Sequence, residues 1–135
     1  MVPPTRPLQL LLVDDDRVTA GVLCTMLSDQ PVRLTHTLDG SSVLQLLAAQ
    51  PFDLALVDLR LPSTTGWDIV HQMREAGSTL PIYLISALYT EHDAPRDVIA
   101  AAGANGFLPK PIQRAALLEL LARHNQPAQP QKITL

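Results

Sequence analysis

Apolar and polar positions along the chain follow two alternating patterns, and each change of pattern marks a new element. Continuous or alternating apolar runs, typical of strands, occupy residues 8–13, 32–37, 54–57, 81–86 and 105–108. Apolar residues at helical spacing between them predict helices over residues 17–29, 42–49, 66–76, 95–102 and 112–123. Five alternations of strand and helix predict an α/β fold, a five-stranded parallel sheet with helices on both faces.

The third predicted strand leads directly into a carboxylate, Asp58. A carboxylate beside a buried apolar run is usually paired, bound to a metal ion, or placed where the strand leaves the core. Pro62 then interrupts regular structure, and Gly66 permits a turn into the next helix. We therefore expect Asp58 at the carboxyl end of a central strand, the edge where ligands bind in open α/β sheets. On this stretch alone, a helix-capping role is an equal alternative.

Four further polar side chains stand at the ends of predicted strands. Asp14 and Asp15 follow the first strand, Ser86 ends the fourth, and Lys110 follows the fifth. Because the carboxyl ends of parallel strands share one edge, we expect these groups to converge with Asp58. Carboxylate oxygens suit Mg²⁺, and without a cation three close carboxylates would repel one another. The pattern predicts a Mg²⁺ site with a phosphoryl-binding edge, although each residue alone would fit a capping or surface role.

Composition narrows the class of protein. The 135 residues are 47% hydrophobic and 17% charged, which indicates one globular domain. We place an N-terminal tail at residues 1–7, the domain at 8–124 and a Gln/Pro-rich tail or linker at 125–135. The net charge of −3 gives no electrostatic case for nucleic-acid binding by this domain. We see neither a secretion signal nor a membrane-length apolar run, so we expect a cytoplasmic protein without membrane contact.

The lone cysteine and the histidines add little chemistry. Cys24 has no disulfide partner in the chain and lies in an apolar helical pattern, so we expect it in the core. The four histidines lie on different elements without metal-ligand spacing, and we expect ordinary polar roles for His36, His71, His92 and His124.

Four segments in this order resemble the receiver domain of two-component response regulators: residues 11–16, residues 57–62 with Gly66, residues 84–87 and residues 103–111. Each segment alone is a weak signal, but their order and spacing are specific, and the resemblance spans residues 8–123. It implies the CheY-like, doubly wound (βα)5 fold of the flavodoxin type. It also implies a phosphorelay function, in which a sensor histidine kinase or phosphotransfer protein donates a phosphoryl group. The chain would phosphorylate itself from the donor and dephosphorylate slowly, without other enzymatic activity.

The resemblance also assigns roles at the acidic edge. Asp58 would be the phosphoacceptor. Asp15 and Asp58 would bind Mg²⁺ directly, with the backbone carbonyl of Arg60 as a further ligand. Asp14 would act through a metal-bound water, and Asp16 would start the first helix rather than bind metal.

A second set of roles concerns the phosphoryl group and the switch. Lys110 would pair with the phosphoryl oxygens, Ser86 would donate a hydrogen bond to them, and the Lys110–Pro111 peptide would be cis. Movement of Ser86 would let Phe107 turn inward, which changes the surface of the fourth helix, fifth strand and fifth helix. A downstream protein or a second copy would bind there. Phe107 stands where Tyr is common, so its inward state would depend on packing alone.

Two segments depart from the family pattern. The loop over residues 87–95 is longer than expected and contains Pro95, and Leu88 in it would shield the site from water together with Arg60. The last helix is apolar nearly all round. Some of Leu117, Leu118 and Leu121 would therefore be exposed for a partner, unless the tail covers them.

Two other functions fit parts of the pattern. A haloacid-dehalogenase-type phosphatase would use Asp14 as nucleophile and Asp16 as acid, but it needs later acids that residues 106–111 lack, and it leaves Asp58 without a role. An unphosphorylated receiver-like interaction module would not need the intact acid set. A dinucleotide site is excluded because no Gly-x-Gly-x-x-Gly follows the first strand.

Overall fold

The computed structural model describes residues 6–125 and 133–134. Five strands alternate with five helices, as the sequence predicts. The strands are β1 (Leu8–Val13), β2 (Val32–Thr37), β3 (Leu54–Asp58), β4 (Ile82–Ser86) and β5 (Gly106–Pro109). The helices are α1 (Arg17–Met26), α2 (Val43–Ala49), α3 (Gly66–Glu75), α4 (Arg96–Ala101) and α5 (Arg114–Arg123), and a 3₁₀ turn (Gly40–Ser42) precedes α2.

The strands form one parallel sheet in the order β2-β1-β3-β4-β5. The chain moves outward from β1 to β2, then crosses β1 to β3 and continues the other way. This reversal opens a crevice between β1 and β3 at the carboxyl edge of the sheet, the position where ligands bind in such folds. Asp58 is the last residue of the central strand β3 and is paired with Ile85 of β4. The predicted fold class is confirmed.

Side chains of the three inner strands alternate between two apolar clusters. One cluster joins the sheet to α2, α3 and α4, and its strand residues include Leu11, Val13, Ala55, Val57 and Leu84. The other joins the sheet to α1 and α5, and its strand residues include Leu10, Leu12, Leu54, Leu56 and Ile85. Because a slip of one residue would exchange the two sets, burial on both faces fixes the register that aligns the strand ends.

Helix α1 differs from its sequence pattern. Its Asp16 cap is as expected, since the Asp16 side chain accepts the Val18 backbone N–H at 2.9 Å. Its buried residues are Ala20 and Leu23, whereas Cys24 is exposed, so the prediction of a core cysteine is wrong. Cys24 follows Leu23 by one residue, a rotation of about 100° around the helix, and this turns it away from the sheet.

Helix α5 also corrects an expectation. Leu117 and Leu121 are buried against the α1 side of the sheet together with Leu120, and only Leu118 is partly exposed. The sheet and α1 cover the broad apolar face of α5. The prediction that leucines of α5 are exposed for a partner is therefore wrong for Leu117 and Leu121.

Helices α3 and α4 are each followed by a glycine with a left-handed conformation. Gly77 and Gly103 both have φ of +97°, the left-handed conformation that ends helices. The start of α3 has a cap that the sequence did not reveal, because the Thr65 hydroxyl accepts the Asp68 N–H at 3.2 Å. Among the residues that the structure describes, no helix is long and apolar enough to cross a membrane.

Candidate functional site

Three carboxylates meet at the carboxyl edge of the sheet. Asp14, Asp15 and Asp58 each place an oxygen within 4.8 Å of the others. The pairing of Val13 with Val57 sets Asp14 beside Asp58 at the ends of β1 and β3. Asp14 and Asp58 are buried, whereas Asp15 is exposed to solvent. The cluster thus has two inner carboxylates and one that faces the solvent.

Lys110 contacts both inner carboxylates from the end of β5. Its Nζ lies 2.5 Å from Asp58 Oδ2 and 2.8 Å from Asp14 Oδ2. The Lys110 N–H donates to the Ser86 carbonyl at 2.9 Å, and the Lys110–Pro111 peptide is cis, as the resemblance implies. Burial lowers the pKa of Lys110, but the interactions with Asp14 and Asp58 outweigh burial and raise it above its ordinary value. The ammonium is therefore charged at neutral pH.

Asp14 is the most deeply buried acid of the cluster, and its hydrogen bonding is incomplete. Its Oδ1 accepts the Asp16 N–H at 2.9 Å, whereas Oδ2 is fully buried and has no hydrogen-bond partner among the described residues, although it forms the ion pair with Lys110. Burial raises the pKa of Asp14, and the charge of Asp58 adds to this, while Lys110 opposes it. Lys110 pairs with two of the three acids and Asp15 lies beside them, so the cluster has unused oxygens and excess negative charge. Both properties fit a hard divalent cation such as Mg²⁺.

The loop after Asp58 is held by backbone contacts. Asp58 Oδ1 accepts the Arg60 N–H at 3.0 Å, and the Gly66 N–H donates to the Leu59 carbonyl at 2.9 Å. A Cβ on Gly66 would lie 2.5 Å from the backbone oxygen of Asp58. Only glycine therefore lets α3 begin this close to the acid. The sequence showed Gly66 as a turn residue but did not reveal this contact.

Ser86 ends β4 beside the acids and is buried. Its Oγ accepts the Leu88 N–H at 2.9 Å, so the hydroxyl proton is not used in that bond. Ser86 pairs with Pro109 in the sheet, one residue before Lys110. The hydroxyl and the ammonium thus come from adjacent strands at the same level of the sheet.

Two aromatic side chains near Ser86 contact each other. The rings of Tyr89 and Phe107 meet edge to face, with centroids 6.1 Å apart and planes at 77°. Both are partly buried against the cluster on the α3 side of the sheet. Sequence reasoning named Phe107 but missed Tyr89. The available signal was an aromatic residue three positions after Ser86.

His36 also lies nearer the site than the sequence suggested. Its Nε2 is 2.6 Å from the backbone carbonyl oxygen of Asp14. A carbonyl only accepts, so Nε2 carries a proton and donates in this contact. His36 holds the backbone that presents Asp14, a role that follows from the position of β2 beside β1.

Comparison with known proteins identifies the family of this arrangement. The family model described as response regulator receiver domain matches residues 10–122. The chain is 33% identical over 116 residues to the probable transcriptional regulatory protein SilR of Salmonella typhimurium and covers 49% of it, with 86% of the chain aligned. It is 35% identical over 119 residues to the response regulator MprA of Mycolicibacterium vanbaalenii, with 87% of the chain and 48% of that protein covered. The chain thus spans about half the length of these curated relatives.

A solved structure that shares the fold holds a magnesium ion in its active-site cleft. The receiver domain of a sensor histidine kinase from Pseudomonas aeruginosa, with a magnesium ion coordinated in its active-site cleft, is 31% identical with a TM-score of 0.74. The alignment covers 88% of this chain and 98% of that one. The family match, the fold and the acidic crevice agree, and the chain belongs to the response regulator receiver domains, the signal receivers of phosphorelays.

Proposed function

We propose that Asp58 is the residue that accepts the phosphoryl group in this receiver domain, in a Mg²⁺-dependent reaction. The observation that carries the proposal is the position of Asp58. It lies at the end of the central strand, with Lys110 Nζ at 2.5 Å and two further carboxylates beside it. The other buried acid at the site, Asp14, lies deeper, with no exposed surface. Asp58 is thus the inner carboxylate that a donor can reach from the crevice.

Asp14, Asp15 and Asp58, with the backbone carbonyl of Arg60, would hold the Mg²⁺. When bound, the ion supplies positive charge that offsets the phosphoryl oxygens and the acids together. The chain's own groups do the rest. A carboxylate oxygen of Asp58 attacks phosphorus, the bond from phosphorus to the donor's histidine nitrogen breaks, and an acyl phosphate forms on Asp58. Lys110 pairs with the transferred oxygens, and Ser86 donates its free hydroxyl proton to one of them.

Ser86 then links the site to the rest of the domain. Its Oγ holds the Leu88 N–H at 2.9 Å, so movement of Ser86 toward a phosphoryl group pulls on the loop that also carries Tyr89. The ring of Tyr89 contacts Phe107 on β5. These contacts support a switch in which displacement of Tyr89 lets Phe107 move, and the surface of α4, β5 and α5 changes. Because Phe107 has no hydroxyl, packing of the pair would decide its position.

Two surface cavities are suited to bind the expected partners. An apolar cavity of about 300 Å³ lies next to Lys110 and is lined on one side by Val18 and Val22 of α1 and on the other by Pro111 and Ile112. Exposed apolar residues beside an acceptor acid suit a helix of a histidine kinase or phosphotransfer protein. A second cavity of about 300 Å³ lies between α4 and α5, with charged side chains at its rim. A downstream protein or a second copy would bind there.

Phosphorylation in vitro tests the assignment. The full chain is incubated with acetyl phosphate and Mg²⁺, and the modified residue is mapped by mass spectrometry. We expect label on Asp58, loss of labelling in Asp58→Asn, and loss of labelling when Mg²⁺ is chelated. Label on Asp14, or undiminished labelling of Asp58→Asn, would contradict the assignment. No labelling of the wild type by acetyl phosphate or by any histidine donor would show an unphosphorylated interaction module instead.

A further inference from the structure

Two residues close to the C-terminus contact the domain far from the helix that precedes them. The Thr134 backbone N–H donates to the Ala76 carbonyl at 2.9 Å. Ile133 is partly buried and packs against the apolar cluster shared by the sheet, α2, α3 and α4. One directional bond and one apolar contact thus hold the same two residues at the end of α3.

The end of α3 has a carbonyl group available for this contact. Its terminal turn already pairs two other carbonyls, since the Gly77 N–H donates to Arg74 and the Ser78 N–H donates to Met73, both at 3.0 Å. Ala76 is the C-cap of α3, and its carbonyl accepts the Thr134 N–H. Carbonyls at a helix C-terminus lack intrahelical donors and form the negative end of the helix dipole. An N–H from a distant segment is therefore a favourable partner.

The contact lies on the opposite side of the sheet from α5. The buried face of α5 packs in the cluster shared with α1, whereas Ile133 packs in the cluster shared with α2, α3 and α4. The contact of residues 133–134 is therefore not a continuation of α5. Ile133 and Thr134 follow a Gln/Pro-rich stretch, and Ile133 provides an apolar side chain that gains from burial.

We propose that the end of α3 is a docking site for the chain's own C-terminal segment. Ile133 fills the apolar part of the site, and the Thr134 N–H caps α3 through Ala76. The segment thereby stabilises the last turn of α3 at the amino edge of the sheet. The proposal is independent of phosphorylation, since it uses no residue of the acidic site.

Hydrogen exchange of the 135-residue chain, measured by NMR, tests the docking directly. Because the Thr134 N–H is bonded, we expect it to exchange at least about tenfold more slowly than an unstructured amide. Ile133→Asp should restore fast exchange at Thr134 and accelerate exchange of the Gly77 and Ser78 amides. Ile133→Leu, the matched apolar control, should retain protection. Exchange of Thr134 at the unstructured rate in the wild type, or equal behaviour of the Asp and Leu variants, would overturn the proposal.

A second pair of variants separates the backbone bond from side-chain effects. The Thr134 side chain is exposed, and its contact with Ala76 uses only the backbone. Thr134→Pro removes the N–H and should lower the melting temperature by about 2–5 °C, whereas Thr134→Ala retains the N–H and should melt as the wild type does. Identical melting of the Pro and Ala variants would show that the backbone bond does not hold the segment and would contradict the capping of α3.

Discussion

The two ends of β3 each carry a buried carboxylate, and their surroundings differ. Asp53, just before β3 at the amino edge, is 8% exposed, and Asp58, at the carboxyl end, is 7% exposed. Each oxygen of Asp53 has its own donor: the Arg6 guanidinium at 2.7 Å and the Gln9 N–H at 2.7 Å. Asp58 shares its lysine with Asp14 and lies beside Asp15.

Burial alone therefore does not distinguish Asp53, whose oxygens are both paired, from Asp58, the proposed phosphoacceptor. At the amino edge both carboxylate oxygens of Asp53 have donors, and the Asp53 N–H also donates to the Gln9 carbonyl at 2.8 Å. At the carboxyl edge the acids outnumber the cations, and Asp14 Oδ2 has no hydrogen bond among the described residues. Excess charge at one edge leaves room for a ligand, whereas complete pairing at the other binds two strands together.

The largest expected effect is on the rate of phosphorylation, when the cation at the carboxyl edge is removed and the cation at the amino edge serves as the control. Lys110→Met should slow phosphorylation by acetyl phosphate by about 100-fold or more, because it removes the charge that meets the transferred oxygens. Arg6→Met, the matched control at the other edge, should label at the wild-type rate. The initial rate of labelling at saturating Mg²⁺ measures both. Equal rates for the two variants would remove the distinction between the edges.

For stability we expect the opposite order, with the larger loss at Asp53 on the amino edge and the smaller one at Asp58 on the carboxyl edge. Asp53→Asn replaces an acceptor that serves the Arg6 guanidinium and the Gln9 N–H, and we expect a loss of about 2 kcal/mol in the free energy of unfolding. Asp58→Asn removes one of three crowded charges, so without Mg²⁺ it should cost nothing or stabilise by up to about 1 kcal/mol. Urea unfolding with a chelator present measures both values. A larger loss for Asp58→Asn than for Asp53→Asn would show that the protein alone satisfies the acidic site.

The sequence was sufficient to predict the sheet and the residues at its carboxyl edge. Strand periodicity and the position of each polar residue after an apolar run are local properties, and a parallel sheet brings them to one edge. The contact of Tyr89 with Phe107 was not predictable in this way, because it depends on the path of the loop after Ser86.

The wrong burial predictions have the same cause, since burial depends on residues that are distant in sequence. Cys24 and Leu117 both lie in apolar patterns, yet one is exposed and the other buried. A helical pattern gives spacing but does not say how much of the helix surface its neighbours cover. The sequence did not indicate a role for Asp53, because its partners Arg6 and Gln9 are 44 or more residues away.

A smaller effect concerns water at the carboxyl edge. Leu88 is 50% exposed in the loop beside Ser86, and we expect its side chain to shield the acyl phosphate from water. Leu88→Ala should accelerate loss of the phosphoryl group about threefold. Val98→Ala on α4 is the control, because Val98 is exposed to a similar extent and lies outside the acidic cluster. The decay of phosphorylated protein after removal of the donor measures the rate, and an unchanged rate in Leu88→Ala would show that Leu88 does not shield the site.

The smallest effect concerns His124, just after α5, whose Nε2 lies 2.9 Å from the Tyr83 hydroxyl. Burial lowers the pKa of His124 below its ordinary value, and the charge of Arg123 adds to this. The unfolded chain therefore binds the proton more readily, so this contribution to stability is present above the ordinary pKa of 6.5 and is lost as pH falls through the folded value. Because His124 is only partly buried, we expect a loss of only a few tenths of a kcal/mol as pH falls from about 7 to about 5.5. His124→Gln should flatten the dependence of urea midpoint on pH over this interval, while His71→Gln, on the exposed surface of α3, should retain it. An unchanged profile in His124→Gln would show that the contact with Tyr83 tolerates protonation and that His124 does not contribute to the pH dependence of stability.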